Sequence, residues 1–308
     1  MILVWILLVV GFVLLIKGAD YFVEGSSAVA KILRIPSIVI GLTIVAMGTS
    51  APELAVSVTA ALTGNNEIAV GNVIGSNIFN LMVVTGTCGV ILPMAVDKGI
   101  LNGDFIFSIL ISGVLLAMFA FDMKIGHLDG VILLVLFAYF IIKLVRKALK
   151  ERTDAQEEEE RLSKVKIFLY VVGGIVAIVF GGDIVVDCAS QIASSFGLSQ
   201  NLIGLTIVAM GTSLPELVTS VMAAKKGNVG IAIGNIVGSN IFNILFVIGT
   251  TALICNVPFD QKFVIDTIVA IFSGVLLWAG TIRYKELRKN CGIVMLLCYA
   301  GYFIYLCK

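Results

Sequence analysis

Charge is scarce in this chain. Lys, Arg, Asp and Glu make up 13% of its 308 residues, about half the ~25% usual for a soluble globular domain. A water-soluble core of this size needs more polar surface than that, which excludes a soluble enzyme. Net charge is only +1, so no basic field is available to hold nucleic acid. The single histidine, His127, sits in a short polar stretch. A histidine-based metal site or a Ser–His pair therefore has almost no material. None of the six cysteines forms a CxxC pair, and in or beside apolar stretches they read as small buried hydrophobes. Proline is rare, at five residues, which suits long helices.

Apolar residues are what the chain has, at 59% of the total, with a mean hydropathy of +1.08. They come in blocks, many near the ~20 residues that cross a bilayer as helix. Ten such segments are expected: about 1–24, 36–62, 68–92, 105–121, 128–145, 166–194, 200–223, 230–256, 263–281 and 291–307. The first is preceded by no positive residue and followed by no A-x-A site, so it reads as a membrane helix rather than a cleaved signal. Glycine, at 31 residues, suits close helix packing in lipid. The fold class expected is an all-α polytopic membrane protein.

The chain repeats itself. Residues 41–54, GLTIVAMGTSAPEL, return at 204–217 as GLTIVAMGTSLPEL, thirteen of fourteen identical at an offset of 163. The same offset pairs GNVIGSNIFN at 71–80 with GNIVGSNIFN at 234–243. It also pairs Asp20 with Asp183, Glu24 with Asp187 and Gly86 with Gly249. One constant offset over so long a stretch indicates a duplicated half. Each half holds five segments, and five is odd, so the second half enters the membrane from the opposite side. Such inverted repeats commonly mark secondary transporters. The expected organisation is 1–142 as the first repeat, 143–166 as a charged linker and 167–308 as the second repeat.

Charge orients the array. With the linker, which includes Glu157–Glu160, placed in the cytoplasm as a solvated segment, 17 of the 21 Lys and Arg fall inside and three outside. The remaining one, Lys17, lies near a helix end. That follows the positive-inside rule, places both termini outside, and implies the cell membrane.

Glu53 and Glu216 fall in the middle of the second and seventh segments with no Lys or Arg beside them in those segments. A carboxylate at that depth costs several kcal/mol unless paired or bound to a cation. Two of them, related by the repeat, should meet near the midplane. Oxygen ligands without sulfur or imidazole favour hard cations such as calcium or sodium. Pro52 and Pro215 remove a backbone donor and free the carbonyls of Gly48 and Gly211, and broken helices expose carbonyls that can coordinate ions. Thr49 and Ser50 lie four and three residues before Glu53, and Thr212 and Ser213 likewise before Glu216. Asn72, Ser76 and Asn80, with Asn235, Ser239 and Asn243, draw one polar stripe per helix. Such residues also glue membrane helices, and for Asn72, Asn77, Asn235 and Asn240 that structural role weighs as much as ligation. Asp20, Glu24, Asp183 and Asp187 lie toward helix ends, where a carboxylate is tolerated. Their functional alternative is a vestibule that concentrates cations.

GTSAPEL with GSNIFN, repeated as GTSLPEL with GSNIFN, resembles the paired alpha repeats of the calcium/cation antiporter superfamily, in its sodium/calcium exchanger branch. The resemblance covers essentially the whole chain. It implies ten helices, inverted five-helix halves and alternating access by movement of the first and sixth helices. It also implies that Glu53 and Glu216 bind calcium and sodium, that Thr49, Ser50, Thr212 and Ser213 add oxygens, and that Ala46 and Ala209 contribute backbone carbonyls. Ser76 and Ser239 would complete sodium sites, and Asn80 and Asn243 would line the centre. Some members carry Asp where this chain has Asn243, which argues against potassium co-transport. The linker, only about 24 residues long, leaves no room for the large regulatory domain of animal exchangers, as in a minimal prokaryotic type. Calcium and sodium are expected as transported ions, with no prosthetic group, no enzymatic activity, the bilayer as surroundings and no obligate protein partner.

Other readings remain open. A calcium/proton antiporter on the same fold would couple through protonation of Glu53 or Glu216, although its relatives tend to carry an acidic residue where this chain has Asn80 and Asn243. Magnesium is a conceivable substrate, but it yields its waters reluctantly. A hydrolase using Ser50 or Ser213 lacks a general base. A channel would pass current without a second ion, and a purely structural protein would not respond to cations.

Overall fold

The computed structural model describes residues 2–151, 162–197, 209–258 and 261–306. Its helices are α1 (Ile2–Leu33), α2 (Ser37–Thr49), α3 (Ala51–Leu62), α4 (Glu67–Ile91), α5 (Ile100–Phe119) and α6 (His127–Lys150). They continue with α7 (Lys164–Ser195), a short turn Ala209–Gly211, α8 (Leu214–Lys225), α9 (Val229–Ile254), α10 (Gln261–Ile282) and α11 (Lys289–Leu306). Among the described residues, eight helices are long and apolar enough to cross a membrane. The pair α2 and α3, bent by 46° at Ser50, passes the same test only when taken together, as one broken span would. The seventh expected segment, 200–223, begins in residues outside those described. His127, expected in a loop, is the first residue of α6, with Nδ1 2.7 Å from the Ala252 carbonyl at the end of α9. α6 also runs on through Lys150 into the stretch expected as linker. The acidic run Glu157–Glu160 lies outside the described residues.

Contacts between the halves are reciprocal. Strand β1 (Met94–Ala95) pairs with β4 (Glu286–Leu287), and β2 (Lys124–Ile125) with β3 (Val257–Pro258). The offset of 163 carries β1 onto β3 and Lys124 of β2 onto Leu287 of β4, so exchanging the halves exchanges the two pairings. α1 and α7 lie against each other along most of their length. A Cβ on Gly18 would sit 3.0 Å from the Gly174 carbonyl oxygen, so only glycine permits this approach.

α9 is buried along almost all of its length, whereas α1, α6 and α11 expose most of theirs. The exposed side chains are apolar, among them Ile2, Leu3, Val9, Val135 and Leu297. A continuous apolar exterior of this kind is unstable in water and natural in lipid. The chain is a membrane protein. At the edge of this core, Asp104 is buried in the π-helical turn that opens α5, with Lys143 and Lys147 of α6 at 3.6 and 3.8 Å.

Candidate ion-binding site

Two broken helices build the site. Pro52 cannot donate a hydrogen bond to the turn before it, so the helix stops at Ser50 (φ −84°, ψ 11°) and restarts as α3. Ser213 (φ −90°, ψ 3°) and Pro215 do the same ahead of α8. Each break places a glutamate, Glu53 or Glu216, in the first turn of a new helix. There the unpaired N–H groups and the positive end of the helix dipole favour a carboxylate. Both side chains are fully buried. No ion pair reaches either among the described residues.

The serines at the two breaks reach across to the other half's glutamate rather than serving their own. The sequence spacing aligned Ser50 with Glu53 on one helical face, but the break turns Ser50 away. Its hydroxyl donates to Glu216 Oε1 at 2.8 Å. Ser213 reciprocates at 3.4 Å from Glu53 Oε1, and it also lies 2.9 Å from Ser76 Oγ. Ser76 donates to Glu53 Oε1 at 3.1 Å. Thr49 Oγ1 lies 2.9 Å from Asn235 Oδ1 and 3.5 Å from Ser239 Oγ, and Thr212 donates to Asn72 Oδ1 at 3.3 Å.

The asparagines anchor this frame. Asn72 Nδ2 donates to the Glu53 carbonyl and to Ser57, both at 3.2 Å. Asn235 does the same to the Glu216 carbonyl at 3.3 Å and Ser220 at 2.9 Å. Asn80 opens a π-helical turn, Asn80–Val84, and Asn243 opens Asn243–Ile248. Such π-bulges often occur at functional sites, and nothing in residue spacing announced them. Their amides reach across: Asn80 Nδ2 donates to Asn240 Oδ1 at 3.3 Å, and Asn243 Nδ2 to Asn77 Oδ1 at 3.1 Å and to Ser76 Oγ at 3.3 Å.

One oxygen of each central side chain is left over. Glu53 Oε2, Glu216 Oε2, Asn80 Oδ1 and Asn243 Oδ1 are buried without a hydrogen-bond partner among the described residues. Buried polar atoms are almost always paired; four leftover acceptors against one leftover amide donor, Asn240 Nδ2, suit a cation. The leftover acceptors are carboxylate and amide oxygens alone. That suits hard cations.

The structure thus gathers the expected residues into two hydrogen-bonded groups: Glu216 with Ser50, Thr49 and Ser239 through Asn235, and Glu53 with Ser76, Ser213, Asn243, Asn80 and the half-buried Thr212. Ala46 is less free than expected, since its carbonyl accepts from Ser50 N–H at 3.0 Å and lies 3.3 Å from the Thr49 hydroxyl. Ala209 opens the short turn one helical turn ahead of Ser213. Asp20 and Glu24 stand apart from both groups. Lys226 bridges them at 2.6 and 3.3 Å, which offsets the negative vestibule expected there. The repeat mate of Lys226 is Thr63, so Asp183 and Asp187 lack the corresponding lysine.

Comparison with known proteins agrees with this architecture. The profile of the family described as sodium/calcium exchanger protein matches residues 3–145 and 166–308. The sodium/calcium exchanger MaX1 of Methanosarcina acetivorans is 32% identical, over 98% of each chain. The inner membrane protein YrbG of Escherichia coli is 34% identical over 99% of this chain and 96% of its own. Among solved structures, the sodium-calcium exchanger NCX_Mj soaked with 2.5 mM Na+ and 0.1 mM Ca2+ superposes with a TM-score of 0.86 at 31% identity, over 97% of each chain. The same exchanger soaked without either ion also gives 0.86, at 99% coverage of each.

Proposed function

Because this chain belongs to the sodium/calcium exchanger protein family, we propose that it exchanges sodium for calcium across the membrane by alternating access. Glu53 and Glu216 are the shared ligands of both ions. Ser50, Ser213, Thr49, Thr212, Ser76, Ser239, Asn80 and Asn243 supply neutral oxygens, and Ala46 and Ala209 backbone carbonyls. The observation that carries this reading is the pair of fully buried glutamates, each with one unpartnered oxygen and no fixed counter-charge among the described residues.

The mechanism follows from electrostatics. An empty site holds two buried, mutually repelling carboxylates, and carrying them across a low-dielectric barrier is unfavourable. One calcium ion, or several sodium ions, neutralises the site and lets the carrier switch. Exchange is then obligatory, because each ion set stabilises the occluded states. The two halves, 1–142 and 167–308, sit inverted in the membrane. α1 and α7 move together against the rest, the termini face outside, and the segment at 143–166 is cytoplasmic.

The test is calcium-45 uptake into proteoliposomes, with an outward sodium gradient compared with an outward proton gradient. Uptake driven by sodium supports the proposal. Uptake driven only by protons moves the coupling to protonation of Glu53 or Glu216. No uptake under either gradient contradicts calcium as the substrate.

A further inference from the structure

We propose that Asn77 is a positioning residue: it fixes the amide orientation of Asn243, so that this side chain turns oxygen rather than nitrogen to the transported ion. The inference rests on the ligand reading above and adds one residue to it.

An asparagine amide has two unlike ends. One is an acceptor oxygen, the other an NH2 group with two donors. Beside a cation the first attracts and the second repels. A 180° flip about the last bond interchanges them with almost no change of shape. A site that uses Asn80 and Asn243 as ligands therefore needs something to hold each amide one way round.

Asn77 of α4 does this for Asn243 of α9. The orientation of Asn77 is fixed first, because its Nδ2 donates to the backbone carbonyl of Asn240 at 3.2 Å. A carbonyl can only accept, so the Asn77 oxygen must be the end facing Asn243. That oxygen can also only accept, so Asn243 must offer its Nδ2, which it does at 3.1 Å. The Asn243 oxygen is thereby left over, buried and without a partner. One backbone carbonyl sets the polarity of the whole chain of amides.

The mate of this arrangement is looser. Asn240 Oδ1 accepts from Asn80 Nδ2 at 3.3 Å, again leaving the Asn80 oxygen free, but Asn240 Nδ2 has no partner to hold it. Asn77 is therefore the firmer of the two and the better target. All four asparagines are buried. A role in helix packing alone requires that Asn77 and Asn243 be paired, not that the leftover atom of Asn243 be an oxygen.

Asn77→Leu, Asn243→Ala and the double variant separate the two roles. Calcium KM is read in proteoliposomes, and the calcium-dependent rise in melting temperature is read on purified protein. Asn77→Leu should raise the calcium KM by about 10–100-fold, the usual effect of removing a partner that orients a metal ligand. In the Asn243→Ala background it should add almost nothing, since the amide it orients is gone. If the leucine variant does not fold, Asn77→Ser, too short to reach Asn243, makes the same comparison. An unchanged KM, or an equal factor in both backgrounds, overturns the proposal. Wild-type protein that moves no calcium contradicts the exchange reading instead. The melting shift then still decides this one, by whether Asn77→Leu diminishes it only when Asn243 is present.

Discussion

Replacing Glu53 by glutamine changes one unit of charge and almost nothing else. Glu53 Oε1 accepts from Ser76 at 3.1 Å and from Ser213 at 3.4 Å, and a glutamine oxygen can accept both. With calcium bound, the variant site carries one uncompensated positive charge at membrane depth. A charge at the bilayer centre costs about 3 kcal/mol on insertion scales. At ~1.4 kcal/mol per factor of ten, calcium affinity should fall about 100-fold. Without ions the sign reverses. Two buried carboxylates repel each other, so neutralising one should raise the melting temperature of the ion-free protein. The assay is a calcium titration of thermal unfolding in detergent. We expect a higher ion-free baseline and a smaller calcium-dependent rise than in the wild type. Full calcium affinity in Glu53→Gln would refute the reasoning.

Three further outcomes are expected. A Cβ on Gly234 would lie 2.8 Å from backbone atoms of Gly41, Ile38 and Leu42, and none of these can yield as a side chain could. Gly234→Ala should therefore force α2 from α9 and destabilise the protein by about 1–3 kcal/mol, visible as a lowered melting temperature. Lys226, partly exposed, bridges Asp20 and Glu24. Ion pairs in such settings contribute about 0–1 kcal/mol, so Lys226→Ala should leave melting nearly unchanged, and a large drop would show that the bridge holds α8 to α1. In a cysteine-free background, Lys124→Cys should react with an impermeant maleimide in intact cells and Lys150→Cys only after permeabilisation; the reverse pattern would invert the proposed orientation.

The site was legible in the sequence because it was written twice. Glu53 and Glu216 stood out through the repeated Pro-Glu motif and the lack of any basic residue in their segments. The polar stripes of α4 and α9 showed through their four-residue spacing. Which half serves which glutamate was not legible. Local spacing aligned Ser50 with Glu53, and only the break at Ser50 and the packing of the halves send its hydroxyl to Glu216. The π-helical turns at Asn80 and Asn243 escaped notice because they rest on i→i+5 backbone hydrogen bonds, such as Thr85 N–H to the Asn80 carbonyl, which no side-chain periodicity reveals. Asn77 and Asn240 fell between glue and ligand for the same reason: their part depends on which end of an amide meets which partner across α4 and α9. Asp104, buried against Lys143 and Lys147, was passed over because it sits just before an apolar segment, where a solvated carboxylate is the ordinary expectation.

The central claim is that sodium and calcium use one site in turn. Direct calcium-45 binding to the purified protein tests it, with sodium replaced by choline at constant ionic strength. The account predicts saturable calcium binding that sodium displaces and that Glu53→Gln and Glu216→Gln each weaken about 100-fold. Calcium binding indifferent to sodium, or surviving the loss of both glutamates, would contradict it.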